Sequence, residues 1–174
     1  MLDQSVKVWE KNSLWVILLA GLFVGTLDIL SAFVDYFINT GKNPLLVLKY
    51  VASGAFGESA FTGGPEIMVL GLLFHYLFAL FFTFLFFWLY SRINFLSKNK
   101  IITGIVYGLF VWMVMNLIVV QLCRAPHAPI KDMKAEKILK SAIILIVMIG
   151  LRLSFIANKY FSNHSKKLEK QIRL

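Results

Sequence analysis

Charged side chains are scarce in this sequence: they make up 16% of its 174 residues, against 59% that are hydrophobic. A water-soluble domain carries about a quarter charged residues, so the composition excludes that class and points to an all-α integral membrane protein. Cysteine occurs once, at Cys123, which rules out an intrachain disulfide and says nothing about compartment. Metal-ligand spacing is also missing, because His75, His127 and His164 fall on separate segments. There is no phosphate or dinucleotide loop, since the stretch from Gly54 to Gly57 lacks a third glycine and a preceding strand. Ser59, in GESA, has neither the strand nor the flanking residues of a nucleophile elbow. From these absences the chain is expected to have no catalytic residues, no metal and no cofactor.

What is present is four apolar runs, at about 14–38, 67–90, 101–123 and 138–158, each close to the ~20 residues that carry a helix across a bilayer. They occupy more than half of the chain, so residues 1–174 read as a single transmembrane domain built as a four-helix bundle. The first run is too long for a signal-peptide core and no small-x-small site follows it, so it is expected to stay in the mature protein. A formal net charge of +9 would suggest nucleic acid in a soluble protein. Here Lys and Arg collect between and after the runs, where they orient spans, and no nucleic-acid partner is expected. The basic tail, 159–174, is expected to rest on anionic lipid headgroups. Residues 1–12 fit a short interfacial turn leading to aromatic anchors at Trp9 and Trp15.

The first run carries two carboxylates. At 100° per residue, Gly21, Gly25, Asp28, Ala32 and Asp35 share an arc of roughly 80°, while Leu19, Phe23, Leu30 and Phe37 lie opposite. The small and acidic stripe should face protein and the large apolar one lipid. The second run aligns Gly71, His75 and Ala79, with Trp88 and Tyr90 where an aromatic belt is expected. Gly104 and Gly108 give the third run a small-x-x-x-small seam, a helix-packing signal, with Asn116 on its flank. Arg152 interrupts the fourth run; it either snorkels toward headgroups or serves as charge partner to a carboxylate.

Between the first two runs, 45–64 is too short to span. LLVLKYVA passes into SGAFGESAFTGG, which reads as a short re-entrant or interfacial helix and a tight glycine-rich loop. Asp35 is placed to cap backbone amides of that loop, and Glu58, Ser53 and Ser59 are candidates to line a vestibule or cap the loop beside it. Counted from the nearer span ends, Asp28, His75 and Asn116 lie about ten, eight and seven residues deep, a shared layer roughly 10–15 Å below the surface. They are expected to form one buried polar cluster. Desolvation favours the neutral forms of a carboxylate and an imidazole, whereas their mutual attraction favours the charged pair. Such groups inside a bundle mark a site for moving a proton or solute, or else a hydrogen-bonded group that fixes helix register.

GTLDILSAF in the first run, then ASGAFGESAFTGG, GLLFHY and GIVYGLFVWMVMN, resemble an uncharacterised family of small four-span bacterial inner-membrane proteins, distantly similar to the YagU-like proteins. The resemblance covers about residues 20 to 120 and implies helix count and location; it implies no catalytic residues. Three readings of function follow: a small transporter or channel for protons or a small solute, a scaffold or accessory subunit whose polar residues serve packing, and, a distant third, an intramembrane enzyme. Four short helices leave little room for a pathway in one subunit, so a homo-oligomer is expected. Ten Lys or Arg fall in the termini and the 91–100 turn and seven in the opposite segments, which puts both termini in the cytoplasm. On a Cys123-free background, a cysteine in the 91–100 turn should therefore resist impermeant reagent from the outer face. Labelling from that face would reverse the orientation.

Overall fold

A computed structural model describes residues 13–126 and 134–172, with side chains through Asn163. The interfacial turn expected at 1–12, His127 and the residues just beyond it lie outside the described residues. Every element described is helical, and four helices are long and apolar enough to cross a membrane: Ser13–Thr40, Pro65–Arg92, Lys100–Leu122 and Ala135–Asn163. Each covers its expected run except the third, which stops at Leu122 with Cys123 already extended, and the fourth continues as helix to Ile172.

Local chemistry sets the ends. The first long helix stops at Gly41, whose φ of 66° is open to glycine and whose N–H returns to Phe37 O at 2.8 Å. The second starts on Pro65, which needs no N–H partner in the first turn, while the Glu66 carboxylate accepts from Gly64 N at 2.9 Å. Asn99 caps the third, its Oδ1 accepting from Ile101 N and Ile102 N. Between the first two long helices, 45–64 forms a short helix, Leu46–Phe56, and a 3₁₀ turn, Gly57–Phe61.

The first helix buries Gly21 and Gly25 and exposes Leu19, Phe23, Leu30 and Phe37, as its two stripes imply. All four long helices feed one core, with Val24, Phe86, Val111 and Leu153 each at most 1% exposed. Tyr90 belongs to that core and not to an interfacial belt. It is 1% exposed, its ring stacks on Phe161 at 5.4 Å, and Asn158 Nδ2 donates to its hydroxyl at 3.1 Å. Trp88, on the outward side, is 41% exposed.

Glycine decides which helices meet closely. A Cβ on Gly21 would lie 2.6 Å from Leu80 Cδ2, and one on Gly25 2.9 Å from Ala79 Cβ, so the first and second helices pack along that stripe. Gly71 gives way to the Leu48 carbonyl of the short helix. Gly104 and Gly108 fit against Leu151 and Ile146, and Gly150 fills the space between the two glycines. The small-residue seams are thus filled inside one chain.

The third and fourth helices also depart from α geometry. Residues Val114–Val119 and Ile146–Leu151 are π-helical, a widening that 100° per residue does not anticipate. Adding one methyl group at Gly150 (Gly150→Ala) would press on the Gly104 carbonyl and on Gly108, and should destabilise the bundle by about 1–3 kcal/mol. Gly54→Ala, whose Cβ would meet only Cys123 atoms at 3.6 and 3.7 Å, should cost no more than about 0.5 kcal/mol. Unfolding in mixed micelles compares the two.

Candidate functional site

Close packing at Gly21 and Gly25 brings His75 of the second helix beside the first helix, one turn from Asp28. His75 Nε2 lies 2.8 Å from Gly25 O. A carbonyl only accepts, so Nε2 donates and carries a proton, leaving Nδ1 as the ring nitrogen that can gain or lose one. The Asp28 carboxyl interacts electrostatically with His75. Its side chain hydrogen-bonds to no described residue; the Asp28 bond that forms, from Ser31 Oγ, ends on the backbone carbonyl.

Asn116 reaches the same place from the third helix. Asp28, His75 and Asn116 line one partly open cavity of about 230 Å³, walled by Phe78, Phe82, Val111, Met115 and Ile149. Each of the three is half-buried. They share a space without bonding to one another, for Asn116 Nδ2 donates instead to Trp112 O at 2.9 Å, on its own helix. Both π-helical stretches face this cavity, the third helix contributing Met115 and Asn116 and the fourth Ile149. Nothing in VMNLIV or IVMIGL signals a π turn, so this part of the wall was not visible in the sequence.

The remaining candidates stand elsewhere. Asp35 does not cap the glycine-rich loop. It faces the fourth helix and forms an ion pair with Lys140, in a separate apolar groove of about 430 Å³ that includes Leu30, Val34 and Ile144. Two loop carbonyls are held by a cation: Lys49 Nζ donates to Gly63 O at 2.6 Å and Phe61 O at 3.1 Å. Ser53 is fully buried and donates to Tyr50 O, and Ser59 donates to Phe56 O, so both serve their own turns. Glu58 is exposed, and none of these residues lines the Asp28 cavity. Arg152 is exposed and pairs with no described carboxylate, because Leu153, Ser154 and Ala157 take the inward face of its helix.

Comparisons with protein-family models, with curated proteins and with solved structures found no match to this chain. The resemblance to small four-span inner-membrane proteins therefore rests on the quoted motifs alone. Among the described residues no group of His, Cys, Asp or Glu is arranged to hold a metal ion.

The His75 geometry has a spectroscopic consequence. With ¹⁵N-labelled histidine, the neutral ring should be the Nε2–H tautomer. A neutral Nδ1–H ring would mean that the bond to Gly25 O is not made.

Proposed function

We propose that this chain is a small multi-pass protein of the bacterial inner membrane that moves protons, or a small solute together with protons, by way of the Asp28, His75 and Asn116 cavity. The observation that carries the reading is a carboxyl group that bonds to no described residue, set beside an imidazole with one nitrogen free, inside a bundle of apolar helices. Ionisable groups are costly at such depth and are kept where they do chemistry or transport. The two π turns on the same cavity support it as well, since π turns gather at functional sites. Both termini are assigned to the cytoplasm from the distribution of Lys and Arg. The cavity is bounded by one subunit, so the reading does not require an oligomer.

A scaffold or accessory-subunit role is the second reading, favoured by a specific observation. His75 and Asn116 each spend a hydrogen bond on a helix carbonyl, as packing residues do. Liposomes separate the two. Vesicles holding the purified protein should dissipate an imposed pH gradient faster than empty ones, and Asp28→Asn, nearly the same size and shape, should slow that by on the order of a hundredfold with unfolding in detergent little changed. Vesicles that hold the gradient as long as empty ones, together with an Asp28→Asn protein that is markedly less stable, would replace transport with packing.

A further inference from the structure

On the other side of the Tyr107 to Phe82 contact, the second and third helices enclose a second space, a groove of about 250 Å³. Its walls include Leu89, Ile93, Phe95, Ile102, Val106 and Phe110. The hydroxyls among them are already used: Thr103 Oγ1 donates to Leu96 O at 2.8 Å and Tyr107 OH donates to Phe82 O. A ligand lying in this groove would find apolar surface along its length.

At the same end of the bundle stand Arg92, Lys98 and Lys100, all exposed. Lys98 and Lys100 also border a polar pocket of about 290 Å³ with Ser97, Asn99 and Asn158. None of the three cations pairs with a described carboxylate. Asp35, Glu58, Glu66 and Glu136 belong to the opposite end of the bundle, and Asp28 lies midway along its helix. Their neighbours are aromatic: Arg92 stands 5.7 Å from the Trp88 ring, Lys98 5.9 Å from Phe95 and Lys100 4.8 Å from Phe155. The turn that carries them is braced by the Thr103 to Leu96 bond and by the Asn99 cap.

We infer that this face binds an anionic phospholipid, with an acyl chain in the groove against Ile102 and Val106 and the headgroup phosphate at Lys98, with Arg92 and Lys100 adding to the positive field at that end of the bundle. Charge complementarity selects the occupant. A zwitterionic lipid would fill the groove but leave the cations without a net counter-charge, and free phosphate would meet the cations but not the groove. Lys98, 5.9 Å from the ring of the groove wall Phe95, joins the two features, as head and tail of one amphiphile are joined.

Native mass spectrometry of the full chain in detergent, titrated with phosphatidylglycerol or phosphatidylcholine, tests the assignment. Phosphatidylglycerol should bind more tightly. The triple variant Arg92→Gln, Lys98→Gln, Lys100→Gln should lose on the order of tenfold in affinity for it, while phosphatidylcholine is unaffected. Val106→Trp should weaken phosphatidylglycerol binding by filling the groove; Val106 is 61% exposed, so this variant keeps the test open should the triple variant fail to fold. The tail variant Lys166→Gln, Lys167→Gln, Lys170→Gln should lose less affinity than the triple variant, since the tail is expected to meet anionic headgroups without the groove. Unchanged binding in the triple variant or in Val106→Trp, loss only in the tail variant, or displacement of the lipid by inorganic phosphate would each overturn the inference.

Discussion

Where the fourth long helix crosses the third, Gly150 lies so close to the Gly104 carbonyl and to Gly108 that one methyl group would push the helices apart. Between helices surrounded by lipid tails there is little hydrophobic force to draw them together, so association rests on dispersion contact and on how near two backbones can come. The three glycines give the third and fourth helices that nearness. Gly21 and Gly25 do the same for the first helix against Leu80, Ala79 and Tyr76 of the second. The bundle is thereby two closely packed pairs, and what lies between the pairs is filled by side chains.

That arrangement explains where the spaces are. The second and third helices follow one another in the chain but meet through long aromatic groups: Tyr107 OH donates to Phe82 O, and the Phe86 and Tyr107 rings meet edge to face at 4.6 Å. A contact made by side chains at one level leaves room above and below it. Toward the end that holds Pro65 and Leu122 the room contains Asp28, His75 and Asn116; toward Arg92 and Lys100 it is the apolar groove.

Much of this was legible because a helix face can be counted. Gly21, Gly25 and Asp28 align at 100° per residue, and so do Gly71, His75 and Ala79; equal depth from the span ends was enough to bring Asn116 to the same layer. The partner of Asp35 was not legible. Counting gives the face of one helix but not the rotation of the helix it meets, and Lys140 lies 105 residues further on, near the start of another run. Tyr90 was misplaced for a related reason: an aromatic near a span end looks the same whether it faces headgroups or a neighbouring Phe161. The π turns escaped because counting assumes the regular geometry from which they depart.

Under the proposed proton path, the Tyr107 contact limits how a proton leaves the Asp28 cavity. Toward Arg92 the way is closed by Phe82, Phe86 and Tyr107, each at most 4% exposed. Of these only Tyr107 has a group able to relay a proton, and its hydroxyl hydrogen is bound to Phe82 O, a helix carbonyl. A buried hydroxyl gives up such a bond only when another acceptor replaces it, because an unmet polar group among apolar side chains costs on the order of 1–3 kcal/mol. Passage in that direction therefore requires Tyr107 to exchange partners, with water or a neighbouring group taking the place of the carbonyl. The glycine-packed pairs are poorly suited to yield, since their backbones are already in contact. The gap between the second and third helices, held by side chains alone, is the part of the bundle that can open at the least cost in packing.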